Sequence, residues 1–381
     1  MRSSIRGSDM TDAALARPIK GRSLWSDAWR RLKANRAAVV SAIYLVLMAV
    51  ACVVGPWFSP HGFSTIYQEY VRIPPSLEKY PPAEMIEPAL KNAMQRARVE
   101  IERWREEGDR IHVTVSSARP IDERIVRYLD RSSVFRDARV EEKSADGLSM
   151  TMSAGVERKR FIFGTDNIGR DLFTRTLIAG RVSLAIGLLA GLVAVFIGVV
   201  YGATSGFVGG RTDEIMMRVV DILYSLPFIF FVIMLVVFFG RNFVLMFLAV
   251  GAVLWLDMAR IVRGQTLSIK RREYVQAAEA LGVSQAGILR RHVVPNTLGP
   301  VVVYMTLLVP QVIILESFLS FLGLGVQEPM SSWGVLIAQG AKNIGTATWL
   351  LIFPSFFLTT TLFALNFIGD GLRDALDPQD R

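Results

Sequence analysis

Apolar residues along the chain gather into runs of about 20, long enough to cross a hydrocarbon core about 30 Å thick. Six such runs stand out, at about 37–57, 182–201, 219–239, 244–256, 298–318 and 349–368. Their pattern predicts an all-α polytopic membrane protein. A long polar stretch, residues 58–160, separates the first run from the second and has periodicities of its own. Ile86, Leu90, Met94, Ala97, Ile101 and Trp104 recur at three- and four-residue spacing, one stripe of a helix. Ile111, Val113 and Val115 alternate with polar residues, as in a half-buried strand. Ile121, Ile125, Val126 and Leu129 predict a second helix, and Asp146-Gly147 marks a turn between two further strands. The insert therefore reads as a small α+β unit between the first two spans.

Charge orients this pattern. Lys and Arg number 9 in residues 1–36, 2 in 204–218, 7 in 259–297 and 2 in 369–381, but only one each in the short loops 240–243 and 318–348. Positive charge collects on cytoplasmic flanks, so both termini are expected inside. The insert carries 18 basic and 17 acidic residues and is expected outside, since long loops translocate regardless of charge. The organisation that follows is a basic cytoplasmic segment 1–36, a first span 37–57, an extracytoplasmic insert 58–160 and a core 161–381 with a cytoplasmic loop 259–297. Trp29 to Arg36, just before the first span, reads as an anchor helix lying on the membrane surface.

Composition narrows the function. Half of the 381 residues are hydrophobic, and mean hydropathy is +0.36, which excludes an ordinary soluble enzyme. The net charge of +9 follows from the cytoplasmic flanks, and no nucleic-acid-binding motif accompanies it. A single cysteine, Cys52, permits no intrachain disulfide. No phosphate-cradling Gly-Lys loop, nucleophile elbow or paired-histidine zinc motif occurs. His61, His112 and His292 lack ligand spacing, so no metal site is expected.

Within the spans, Gly187, Gly191, Gly198, Gly202 and Gly206 place small residues on one helix face, a close-packing seam. Pro227, Pro310 and Pro354 are expected to kink their spans. Asp221 near the inner end of span three reads as structural. Glu316, near the outer end of span five, either lines a translocation path or makes an interhelical hydrogen bond.

The most informative stretch is the cytoplasmic loop. Tyr274 to Leu281 forms a short helix, Gly282 stops it, Ser284 caps a second helix through Arg291, and Pro295 closes it. Two short helices make a protruding knob, with Ala277, Ala278 and Ala280 small enough to enter a partner's groove.

This loop resembles the Glu-Ala-Ala…Gly loop of ABC importer permeases. Gln276-Ala277-Ala278 and Gly282 align, and nine residues later comes His292-Val293-Val294-Pro295. Gln276 stands where the family has Glu, so a hydrogen bond remains open there but an ion pair does not. A second stretch, Gly164-Thr165-Asp166-Asn167-Ile168-Gly169-Arg170-Asp171, is similar to the motif before helix 2 in the C-type permeases of the dipeptide/oligopeptide/nickel group. Physically, Asp166, Arg170 and Asp171 read as a charged cluster at a helix entry or as a substrate contact. The segment Glu316 to Gly325, with Pro329 and Ser332-Trp333-Gly334, is also typical of the group.

The resemblance implies six transmembrane helices of the importer-permease type and a non-enzymatic role in a cell inner membrane. It implies an ATPase-coupling loop that includes Glu273, Tyr274, Gln276, Ala277, Ala278, Gly282, His292, Pro295 and Asn296. The implied partners are a homologous permease, two cytoplasmic ATPases that bind ATP and Mg, an extracytoplasmic substrate-binding protein, the bilayer and a peptide substrate. Nucleic acid is not among them, and no cofactor belongs to this chain. A receptor or assembly factor working through the insert, or a stand-alone channel, would be the competing classes.

Overall fold

The computed structural model describes residues 24–240 and 243–376. Most of the basic N-terminal segment, the loop residue Arg241 and the last five residues therefore lie outside the described residues. In chain order the elements are α1 (Leu24–Ala34), α2 (Arg36–Phe58), α3 (Ala83–Ala97), β1 (Glu100–Glu107), β2 (Arg110–Ser116), α4 (Val126–Asp130), β3 (Phe135–Lys143) and β4 (Ser149–Val156). There follow α5 (Leu172–Val208), α6 (Gly210–Ser225), α7 (Phe228–Phe239), α8 (Phe243–Lys270), α9 (Glu273–Ala280), α10 (Gln285–Ile288), α11 (Val294–Phe321), α12 (Trp333–Ala341) and α13 (Trp349–Leu376).

By length and composition, four of the described helical stretches can cross a membrane: 36–58, 172–208, 285–321 and 349–376. The bent pair α6 and α7 makes a fifth if it is one span. The prediction of one continuous third span over 219–239 is corrected here. The chain breaks at Leu226–Pro227, and the two helices meet at 86°. Proline disfavours the helical conformation at the residue before it, and Leu226 takes an extended ψ of 133°. Pro310 and Pro354, by contrast, lie inside unbroken helices.

The second predicted span proves far longer. Asp171 accepts a hydrogen bond from Thr174 N (2.8 Å) to start α5, and Gly209 ends it 37 residues later, about 55 Å at 1.5 Å per residue. Its polar residues disguise the extra turns, and one of them answers a backbone demand. Pro56 in α2 has no N–H, which leaves the carbonyl of Cys52 without its helical donor. Arg181 Nε donates to that oxygen at 2.6 Å, and its Nη2 donates to Val53 O at 2.6 Å.

The glycine face of α5 serves two neighbours. A Cβ on Gly198 would sit 2.5 Å from Met258 Cβ of α8, and one on Gly202 would strike the backbone of Ala259. Gly187 instead lies against Ile313 of α11. Around these approaches Ile186, Ala190 and Ala194 of α5 bury with Val250 and Leu256 of α8 and Leu308 and Val312 of α11.

The insert folds as an antiparallel sheet in the order β1-β2-β4-β3, with α3 and α4 on one face. Ile86, Leu90 and Met94 of α3 pack on Ile111, Val113, Val115, Met150 and Met152 of the central strands. The helical stripe expected to reach Trp104 is corrected: α3 ends at Ala97, with Arg98 in a left-handed cap (φ 59°). Ile101 and Trp104 lie on β1, where a bulge shifts the register between Ile101 and Arg103. The extra residue keeps side chains three apart on one face, which imitates helical spacing. Tyr80 and Lys159 pair backbone to backbone (2.6 and 2.7 Å) and bring the two ends of the unit together.

Replacing Gly202 by Val should force α5 and α8 apart and cost about 1–3 kcal/mol. Thermal melting in detergent should fall accordingly, whereas Gly264→Ala, in open space, should leave it unchanged.

Candidate functional site

Two places gather the residues singled out by the sequence, and they lie at opposite ends of the bundle. The first follows α8. Glu273 in the first turn of α9 complements the helix dipole. The helix closes as a Schellman turn: Val283 N donates to Ala278 O (3.1 Å) and Gly282 N to Glu279 O (3.0 Å). This needs a left-handed residue, and Gly282 has φ +76°. Ser284 then accepts from Gly287 N (3.2 Å) to start α10.

Val275, Ala278, Ile288 and Val293 are buried in one cluster with Phe207 at the end of α5 and Ile269 at the end of α8. The two helix ends are tied as well, because Lys270 Nζ donates to Phe207 O at 2.5 Å. Beside them Arg263 of α8 makes a bidentate pair with Asp213 of α6 (2.6 and 2.5 Å), and Ser205 of α5 donates to the same carboxylate. Sequence reading missed this three-helix tie; nothing in the spacing of Ser205, Asp213 and Arg263 announces it.

The opposite face of the knob is bare. Leu281 is 84% exposed and Tyr274 45%, with Gln276, Ala277 and Ala280 beside them. Ala278, expected on this outer face, instead points into the anchoring cluster. Pro295 does not close the second helix. A π-helical stretch, Leu289–Val293, carries the chain from α10 straight into α11, where Pro295 sits in the first turn and needs no donor. Residues 285–321 thus form one rod. Asn296 Nδ2 donates to His292 O (2.6 Å) across this junction, and the His292 and Tyr274 rings lie 6.2 Å apart.

The second place is the loop before α5. The Asp166 carboxylate accepts from Ile168 N (3.0 Å), Arg170 N (2.9 Å) and Arg170 Nε (2.7 Å). Arg170 Nη1 reaches on to Glu328 (2.9 Å). Arg175, 1% exposed, lies 3.6 Å from Asp166 and over the Phe63 ring. Thr165 is pinned by Ile73 N, which donates to its hydroxyl (2.8 Å), while that hydroxyl donates to Tyr70 O. Gly169 (φ +86°) lets the chain touch Tyr67, whose N–H bonds its carbonyl at 3.0 Å, and Gly164 N–H bonds Phe161 O. Burial pushes the Asp171 carboxyl up, although Thr174 donates to it twice. Asp166, Arg170 and Asp171 thus lie buried as a charged cluster at a helix entry, while Asn167 is exposed. Sequence reading did not include Arg175 and Glu328, which lie outside the motif.

Glu316 is fully buried in α11. Its Oε1 accepts from Ser320 (2.7 Å) and from Ser332 (2.6 Å), the residue that also caps α12. That is an interhelical hydrogen bond within the chain. Asp221 pairs with Arg260 (2.8 Å). The three histidines are far apart: His61 bonds Tyr67 and Arg160 O, His112 bonds Glu141, and His292 lies at the knob.

Residues 175–380 match the family described as binding-protein-dependent transport system inner membrane component. Residues 23–75 match the N-terminal TM domain of oligopeptide transport permease C. The chain is 46% identical to the oligopeptide transport system permease protein OppC of Escherichia coli K12, over 95% of this chain and 94% of that one. It is 36% identical to the dipeptide transport system permease protein DppC of Bacillus subtilis, over 94% and 87%. The glutathione transport system permease protein GsiD of Shigella flexneri is 40% identical over 57% and 72%. With the family matched over more than half its length, and relatives matched nearly end to end, the chain belongs to the inner membrane components of binding-protein-dependent transport systems.

Proposed function

We propose that this chain is the permease subunit of an ATP-driven importer of di- and oligopeptides. It works beside a homologous permease, two cytoplasmic ATPases that bind ATP and Mg, and an extracytoplasmic binding protein. Six spans with both termini inside put the knob in the cytoplasm, with α8 as the fourth span and α6 and α7 together as the third. The observation that carries the reading is the build of the knob: an exposed apolar turn, buried behind against the ends of α5 and α8, and continuous with α11. A partner that grips Leu281 and Tyr274 moves three helices at once. The ATP-bound and ATP-free partners then select different arrangements of those helices. The charged cluster at Asp166 and the buried Glu316 supply the stiff far end, and the insert contacts the binding protein or caps the entrance.

Burying a leucine side chain is worth about 1.5–3 kcal/mol. Leu281→Asp should therefore weaken co-purification of the ATPases at least about tenfold. Gly282→Val meets no atom within 4 Å but must hold a left-handed backbone. It should leave the bundle folded while ATP hydrolysis continues and uptake of labelled peptide falls. Normal coupled uptake in both variants would remove the knob from the mechanism.

Orientation has its own measurement. Cys52 is fully buried, so one introduced cysteine reports alone. Arg290→Cys should react with a membrane-impermeant maleimide only in inside-out vesicles, and Glu102→Cys only in right-side-out vesicles.

Excising residues 82–157 and joining the paired Tyr80 and Lys159 strands through a short turn should leave the Thr165–Ile73 contacts and complex assembly intact. Uptake dependent on the binding protein should fall; unchanged uptake would free the insert from that role.

A further inference from the structure

Beside the knob lies a cavity of about 1390 Å³, lined in part by Glu273, Tyr274, Pro295 and Asn296 of the coupling loop. Five parts of the chain wall it: α1, the end of α8 with its linker, the start of α9, the start of α11 and the end of α13. A pocket for one small molecule measures about 300–1,000 Å³, so this space takes something larger. Its chemistry is divided. Arg31, Arg271, Arg272 and Arg373 line it, against the acids Asp27 and Glu273. Asp27 lies 3.7 Å from Arg30. Among the described residues Arg271, Arg272 and Arg373 make no ion pair and no side-chain hydrogen bond, unlike Arg260 and Arg263 about three and two turns earlier. The other wall is apolar, with Val303 and Leu307 of α11 and Leu376 of α13.

Depth is set by α1. This short helix carries Trp29, 59% exposed, with Lys33 over its ring at 5.0 Å. Tryptophan and snorkelling lysine belong at headgroup level. The cavity rim therefore lies where phosphates lie, with the apolar wall running toward the acyl chains.

We infer that this cavity holds an anionic glycerophospholipid of the adjacent leaflet, its phosphate held by Arg271, Arg272 and Arg373 and its chains against α11 and α13. Guanidinium forks match phosphate oxygens in pairs, and basic pockets between membrane helices on the cytoplasmic side are known lipid-headgroup sites. A phosphate held there bridges α13 to the linker immediately before α9, so the lipid ties the foot of the knob to the last helix. The leaflet rests on the orientation proposed above; the phosphate site itself does not.

The test uses the complete transporter in nanodiscs of equal phosphatidylcholine and phosphatidylglycerol, released into native mass spectrometry. Phosphatidylglycerol should remain bound in preference to phosphatidylcholine. Arg271→Gln with Arg373→Gln should cut that preference about fivefold for each arginine removed. Glycerol phosphate added in excess should not displace the lipid. Equal retention of both lipids, an unchanged preference in the double variant, or displacement by glycerol phosphate would each overturn the assignment. Loss of the ATPases from the double variant in pure phosphatidylcholine discs would also overturn it, by giving these arginines to a protein interface. If the Arg290→Cys label reports the opposite side while the preference stands, the leaflet is wrong and the site is right.

Discussion

The knob formed by α9 and α10 is too small to own a core, and that limitation shapes the bundle around it. Eight residues of helix and a turn cannot bury enough apolar surface to stay folded alone. Val275, Ala278, Ile288 and Val293 must borrow Phe207 from α5 and Ile269 from α8. Lys270 and the Ser205–Asp213–Arg263 tie then hold those donors together. The same need that keeps the knob folded makes it rigid toward three helices. A permanent mechanical connection is thus a by-product of local stability, before any partner is considered.

Polar residues in the apolar helices follow a parallel logic. Several of them supply a hydrogen-bond partner that a helix backbone or a neighbouring side chain needs. Arg181 replaces the donor that Pro56 removed. Ser332 both caps α12 and binds Glu316, so one hydroxyl joins a helix start to a helix interior. At the loop before α5, one carboxylate, Asp166, organises a turn and neutralises Arg170 and part of Arg175. Asp166, Arg170 and Glu328 pair in the loop before α5, and beside the knob Arg263 pairs with Asp213, whereas among the described residues Arg271, Arg272 and Arg373 make no ion pair.

Much of this was legible beforehand. The α9 stop at Gly282, the Ser284 cap and the β3–β4 turn were all readable, because each depends on residues within a few positions of one another. The failures share one cause, which is that distant partners decided them. Ile101 and Trp104 imitate a helix because a bulge alters the strand period, and only pairing with Val115 and Val113 reveals it. Pro295 looked like a stop, yet the π-helical turn before it lets the rod continue. Pro227 looked like a kink and became a break, whereas Pro310 and Pro354 did not break their helices; nothing in the residues themselves separates the three. Ala278 looked free until packing with Phe207 of α5 claimed it, at a separation that no periodicity encodes.

The loop before α5 also sets an order of events during synthesis. Its carbonyl at Thr165 is bonded by the indole of Trp349, 184 residues later, and Arg72 reaches Asn343 across 271 residues. Glu328, the far partner of Arg170, likewise emerges 158 residues after it. Glu328 is the carboxylate that joins Asp166 in facing Arg170 and Arg175. The loop near the start of the core thus reaches its final bonding only when residues from the last part of the chain are in place.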